Sequence, residues 1–269
     1  MNKIINQIQS ERYSIYHADC IDVVSALPDE SIGYSVFSPP FSNLFTYSNS
    51  DRDMGNSKTD DEFFQHFGYL VKQLYRIMKK GRLVSIHCMN IPAMKERDGY
   101  IGIKDFRGDI IRAFQKEGFI YHSEVLVWKD PLVEATRTKA LGLMHKQLCK
   151  DSSMCRQGLP DYIVTMRKMG DNEDFISHEE GFSEYAGGEP LPDGNVSHNI
   201  WRRYASPVWF DIRQTYTLNY EMARDGKDER HICPLQLDTI ERCIQLWSNP
   251  NDVVFTIYRD WETIGRAHV

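Results

Sequence analysis

Two consecutive prolines, Pro39 and Pro40, follow directly on the apolar run Tyr34-Ser35-Val36-Phe37, and no other stretch constrains the fold as strongly. The run reads as the tail of a buried strand. Neither proline offers a backbone N–H, so a strand ladder must end there. Each also pushes the residue before it towards extended geometry. The result is a stiff, non-helical turn at the carboxyl edge of a sheet, where α/β folds take their ligands. It presents a hydroxyl (Ser38), a free carbonyl (Pro39) and an aromatic ring (Phe41) together. A plain strand-ending turn has the same local sequence. The chemistry that suits the set is activation of an exocyclic amine on a base. Two acceptors holding the amino hydrogens draw the nitrogen towards a nucleophilic, tetrahedral shape, while a ring stacks on the extruded base.

At 269 residues the chain can bury one sizeable core, as a single domain or a domain with an insertion. Its 41% hydrophobic and 26% charged residues are ordinary for a soluble globular protein. No apolar run is long enough to span a bilayer, and the start MNKIINQIQSE is too polar for a signal peptide, so no membrane partner is expected. Six cysteines without a C-x-x-C pair indicate neither a metal site nor a disulfide framework. A reduced cytoplasm is the expected location. The net charge of −6 argues against a uniformly basic nucleic-acid binder, so a basic surface must be sought by segment.

Strands alternate with helices along the chain, the mark of a three-layer α/β domain. Residues 13–20 read as a strand, 21–27 as a short helix, and 28–31 as the turn into the proline-ended strand. Residues 42–61 are polar and glycine-containing and read as a loop placed to act as a lid. Asp61 is placed to cap a helix over 62–79, closed by Lys79-Lys80-Gly81 and followed by a strand over 82–88. A helix over 106–117 and a strand over 121–128 come next. Residues 129–168 then hold eight Lys/Arg against four acids, mixed with hydroxyl and amide side chains. Such a mixture holds phosphates and touches base edges, although a solvated basic helix has the same composition. Lys129, Arg137, Lys139, Lys146, Lys150 and Arg156 are the candidate DNA contacts. Residues 171–200 are the reverse, with eight acids and no Lys or Arg, and read as a flexible excursion. The return WRRYASPVW, 201–209, is either a packing anchor or a further DNA contact. His231 stands near a helix start through Ile240, Cys243, Ile244 and Trp247, and a strand over 253–255 follows.

In this order the pieces resemble the beta group of DNA amino-methyltransferases, which act on adenine N6 or cytosine N4. Asp19-Cys20 with Leu27-Pro28-Asp29 and then Ser38-Pro39-Pro40-Phe41 match the catalytic block, and His231-Ile232-Cys233-Pro234-Leu235-Gln236-Leu237 matches the cofactor motif. Four motifs in order over residues 13–255 make the match specific. The resemblance implies a Rossmann-like α/β methyltransferase sheet with helices on both faces and an inserted target-recognition region. The expected division is a catalytic half at 1–128, a recognition insertion at 129–227 and a cofactor-side half at 228–269. It also implies S-adenosylmethionine as cofactor and double-stranded DNA as partner. Ser38 and Pro39 would hold the amino group, with Pro40 stiffening the turn and Phe41 stacking. Asp19, Cys20, His231, Pro234 and Gln236 would lie on the cofactor side. Serine at position 38, rather than aspartate, leans towards cytosine N4.

The resemblance departs at residues 256–269, where the family carries a glycine-rich cofactor loop and this chain has one glycine, Gly265. The codons for Phe255 to Trp261 can be chosen so that reading one base later gives Ser-Pro-Phe-Ile-Gly-Ile-Gly, so a frame change would account for the departure. Without the loop and the strand expected after it, the strands at 13–17 and 253–255 would face an unfilled slot. Weak S-adenosylmethionine binding by this chain alone is then expected, unless a second copy or a complementing chain completes the sheet. A DNA-binding chain that transfers nothing is the alternative outcome.

Overall fold

A computed structural model describes residues 4, 6–42, 54–218, 235–258 and 266–268. Its sheet is built from β1 (Asn6–Gln9), β2 (Ser14–His17), β3 (Ile32–Phe37), β4 (Met78–Cys88), β7 (Ile120–Val127), β8 (Asp161–Arg167), β9 (Val208–Trp209), β10 (Val254–Tyr258) and β11 (Arg266–His268). The strands lie in the order β1-β2-β11-β10-β3-β4-β8-β7-β9. A separate hairpin, β5 (Ile91–Ala93) and β6 (Gly102–Lys104), stands off the end of β4 and encloses the single turn α3 (Lys95–Asp98). The pairings make β2, β10, β3, β4, β7 and β9 run one way and β1, β11 and β8 the other. The carboxyl ends of the first group and the amino end of β8 therefore share one edge. That edge carries the site.

Alternation along β3 explains the two-sided burial. Phe37 points into a core with α1 (Cys20–Ala26), α2 (Asp60–Ile77) and α4 (Phe106–Lys116), while Tyr34 and Val36 pack against α8 (Leu237–Trp247) on the other face. The helix read over 62–79 is shifted. Its cap is Thr59, whose Oγ1 accepts from Glu62 N at 3.1 Å, rather than Asp61. It ends at Ile77 because Met78 turns extended (φ −67°, ψ 139°) and opens β4. Gly81 does not close a helix but sits within β4 at φ +70°, where a Cβ would lie 2.7 Å from Asn172 Cβ.

Two further readings are corrected. The recognition insertion expected over 129–227 is not continuous, because Asp161–Arg167 within it form β8, an interior strand between β4 and β7. Its continuous buried run, Ile163-Val164-Thr165-Met166, was masked by the charges at either end. The slot expected beside β10 is also filled. β11 pairs antiparallel with both β10 (Ile257↔Ala267) and β2 (Ala267↔Tyr16). Only residues 259–265 connect β10 to β11, and a parallel crossover needs about a dozen residues, so the return has to be antiparallel.

The acidic stretch 171–200 has irregular backbone until α7 (Val196–Tyr204) begins inside it. It is tied to the α8 face by buried Arg242, whose Nε donates to Ala186 O at 2.6 Å and whose Nη2 meets Asp211 at 2.8 Å. Tyr185, Tyr204 and Trp209 surround the same guanidinium with their rings. Trp209 is thus a packing anchor of the WRRYASPVW return, its Nε1 donating to Tyr204 O at 3.1 Å, whereas Trp201 is exposed.

Candidate active site

Four polar side chains meet at the shared edge, each supplied by a different strand. Ser38 follows β3 directly and His87 is next to last in β4. The parallel register Phe37↔Ile86 sets them side by side, with Ser38 Oγ 2.9 Å from His87 Nδ1. Asp161 opens β8, and its Oδ2 lies 3.3 Å from His87 Nε2. Lys129, just beyond β7, reaches the other carboxylate oxygen with Nζ to Oδ1 at 2.6 Å. The cross-strand pair Val127↔Asp161 is what brings these two together.

Asp161 is buried, and burial by itself raises a carboxyl pKa. The facing His87 ring and the Lys129 ammonium outweigh that and hold it down at about 2. Asp161 is therefore ionised at neutral pH. An anion facing Nε2 favours the tautomer protonated there, which leaves Nδ1 to accept the Ser38 hydroxyl hydrogen. At rest Nε2 makes no hydrogen bond of good geometry, so its 3.3 Å approach to the carboxylate is an electrostatic contact. Ser38 Oγ, its hydrogen donated inwards, keeps its lone pairs for an incoming donor.

The depressed Asp161 value has a sign for stability. A carboxyl whose folded pKa lies below its unfolded 3.8 stabilises the fold above pH 3.8, and the contribution is lost as pH falls through about 2. We expect about 2 kcal/mol from this group. Urea unfolding between pH 6 and pH 2.5 should show a steeper acid loss for the wild type than for Asp161→Asn. Parallel curves would rule the effect out.

Phe41 is half-buried, its ring 5.9 Å from His87 and 6.0 Å from Phe106, so it leans on the wall of the site. Pro39 and Pro40 are buried beneath it. Ser42 adopts a left-handed backbone (φ 54°) and its hydroxyl donates to Asp60 at the start of α2. The lid expected over 42–61 falls mostly on residues outside those described. The proline turn read from sequence thus brings Ser38, Pro39, Pro40 and Phe41 to one place, while the sequence does not single out His87 and Asp161. The available signals were a histidine near the end of an apolar strand and an aspartate opening a short, mostly buried one.

On the cofactor side, Asp19 ends the β2 edge and caps α1, its Oδ1 accepting from Ile21 N at 2.8 Å. Cys20 is buried as the first residue of α1. Gln236 stands at the N-cap of α8 without capping it by its side chain. His231 and Pro234 lie outside the described residues. Asp19 supplies a carboxylate, Gln236 an amide and Ser38 a hydroxyl beside the ends of α1, α8 and β3, groups of the kind that the hydroxyls and amino-acid end of S-adenosylmethionine call for. β10 ends on the same edge between them. Among the described residues no cluster of metal ligands forms, and no helix is long and apolar enough to cross a membrane.

The six candidate DNA contacts separate. Lys129 is held by Asp161 at 2.6 Å, in line with His87 and Ser38, rather than free for phosphate. Arg156 pairs with Glu134 at 3.2 Å. Arg137 is carried by α5 (Pro131–Thr138). Lys139 follows α5 in a left-handed conformation (φ 54°), and Lys146 and Lys150 sit one turn apart on α6 (His145–Lys150); all three are exposed. Thr136 and Thr138 are turned back onto the Leu132 and Glu134 carbonyls at 2.9 and 2.7 Å rather than outward.

Compared with known proteins, residues 34–258 match the N6/N4 DNA methylase family. Among solved structures, TTHA0409 from Thermus thermophilus, a candidate DNA modification methylase in complex with S-adenosyl-L-methionine, superposes with a TM-score of 0.59 at 18% identity, over 89% of this chain and 76% of that one. The cytosine-N4-specific PvuII DNA methyltransferase gives 0.53 at 14% identity, over 90% of this chain and 73% of that one. Likeness at such identities is likeness of fold. A comparison with curated proteins gives no significant sequence match.

Proposed function

Because the chain belongs to the N6/N4 DNA methylase family, we propose that it methylates an exocyclic amino group of a base in double-stranded DNA, cytosine N4 ahead of adenine N6. The observation that carries this reading is the line Ser38–His87–Asp161 at the mouth of the proline turn. An exocyclic amine must give up a proton as it gains a methyl group, and its lone pair must first be localised on nitrogen. Ser38 Oγ and the Pro39 carbonyl accept the two amino hydrogens. The proton released passes to Ser38 Oγ as the serine hydrogen moves to His87 Nδ1. The imidazolium so formed faces an Asp161 already ionised, and Lys129 keeps that carboxylate from drawing the proton further. Phe41 stacks on the base. When bound, S-adenosylmethionine supplies an electrophilic methyl group. Serine at position 38 supports cytosine N4 over adenine N6.

A second reading is supported by residues 256–269, with their single glycine and the antiparallel β11. In it the chain binds DNA but needs a second copy or a complementing chain for transfer. One experiment separates the two: labelled-methyl transfer from S-adenosylmethionine to mixed-sequence duplex DNA by this chain alone. We expect label in DNA, recovered on digestion as N4-methyldeoxycytidine. Label in N6-methyldeoxyadenosine would overturn the base assignment. DNA binding without label, together with weak S-adenosylmethionine binding by calorimetry, would establish the second reading.

A further inference from the structure

The β5–β6 hairpin is absorbed by neither the fold nor the reaction. Ile91 and Ala93 anchor its inner face in the core. Its outer face and tip carry Met94, Tyr100, Ile101 and Ile103, which are 52%, 51%, 65% and 48% exposed. An exposed apolar cluster of this kind on a short projecting element marks a contact surface.

The tip is braced. Asp98 accepts from Met94 N at 2.7 Å and Arg97 Nε at 3.0 Å, and pairs with Lys104 Nζ at 2.9 Å. Arg97 Nη2 donates to Pro92 O at 2.8 Å across the base of the hairpin. Gly99, at φ +80°, makes the reversal after α3. The neck is wired to the catalytic turn. Lys104 also pairs with Asp60 at 3.1 Å, and Asp60 accepts the Ser42 hydroxyl, one residue beyond Phe41. At the root of the hairpin, Asn90 Oδ1 accepts from Arg107 N at 3.1 Å beside Phe106, the ring that touches Phe41.

The geometry points to a wedge: the hairpin tip, led by Ile101, enters the DNA duplex next to the target and fills the space that the extruded base leaves. The inference rests on the DNA-methyltransferase reading. A base that reaches Ser38 must leave the stack, and apolar side chains inserted at a base step are a known way to hold such a distortion. Ile101 projects three residues beyond Lys104, on the order of 10 Å of strand, while the neck is held to the turn that receives the base. Residues 91–104 carry three basic and two acidic side chains in a chain of net charge −6, so the hairpin suits a polyanion better than the chain as a whole does.

The test uses the full chain as wild type, Ile101→Asp and Ile101→Leu. Binding to a random-sequence duplex is compared with binding to the same duplex carrying one abasic position, where the hole is already made. The wild type should prefer the abasic duplex by about tenfold or more, because unstacking is avoided and the wedge keeps its contact. Ile101→Leu should keep that preference and Ile101→Asp should lose it to within about twofold of none. An unchanged preference in Ile101→Asp overturns the wedge, as does a change in sedimentation with DNA binding intact, which would make the tip an interface between copies. Methyl transfer is scored separately. Wild type that transfers label while Ile101→Asp keeps full transfer and preference removes the wedge alone. Wild type that shows the preference but transfers nothing removes the enzyme reading alone.

Discussion

Ser38→Ala is expected to lower methyl transfer to DNA by about 10²–10⁴-fold, the range for losing a positioned proton-transfer group, with DNA affinity unchanged. In the proposed reaction both tasks of the site pass through the serine oxygen: it accepts one amino hydrogen, and its own hydrogen goes to His87 Nδ1, 2.9 Å away. Alanine leaves the Pro39 carbonyl as the one acceptor on the turn and cuts His87 off from the substrate. The structural cost is small, about 1 kcal/mol for a lost hydrogen bond, because the buried prolines hold the turn and Ser38 only half faces the interior. Label transfer and fluorescence anisotropy on the same duplex give the two numbers. Transfer within tenfold of wild type would assign the amine to the Pro39 carbonyl alone and remove His87 and Asp161 from the reaction.

Asp252→Ala should cost about 3–5 kcal/mol of stability, the penalty for stranding a buried charge. Arg82 is fully buried in β4, with Nε donating to Gly33 O at 2.9 Å and Nη1 to Asp174 O at 3.0 Å, and its Nη2 meets Asp252. Asp252 also accepts from Asn249 N at 2.7 Å, fixing the turn before β10, and Val253 O next to it accepts from Gly33 N at 3.0 Å. One ion pair thus aligns β4, β3 and β10, the strands whose ends frame the site. The urea midpoint should fall with an unchanged slope. A loss under about 1 kcal/mol would mean that the sheet registers without it. Replacing both partners by apolar residues of similar size should cost less than Asp252→Ala, since no charge is then left unpaired.

The proline-ended turn was legible in the sequence because prolines act locally: they end a strand wherever they stand. The helix over α2 was legible because Phe63, Phe67, Leu70, Val71 and Leu74 repeat at helical spacing and are all buried. His87 and Asp161 were not, since their meaning depends on register between strands more than seventy residues apart. β8 was hidden for a related reason. Arg167 and Lys168 look like surface charges in a list of residues, yet Lys168 is buried, with Nζ donating to Met78 O at 2.7 Å. Lys129 misled in the same way, because a lysine among basic residues reads as a phosphate contact until a carboxylate is found 2.6 Å away. Net charge over a window cannot tell a solvated cation from one paired across a sheet.

Residues 128–160 leave the sheet at the end of β7 and return at the start of β8, and the two feet are hydrogen-bonded neighbours, Val127 opposite Asp161. A detour with adjacent feet can be lengthened, shortened or exchanged at little cost, since each doubling of a flexible loop adds only about 0.6 kcal/mol of closure entropy. The part of the expected recognition insertion between these feet is therefore mounted like an interchangeable head on a fixed tool. Evolution or an engineer can graft another sequence preference there and leave the chemistry alone. The boundary for such a graft lies just inside Lys129 and Asp161, because the residues that stitch the feet together also face His87.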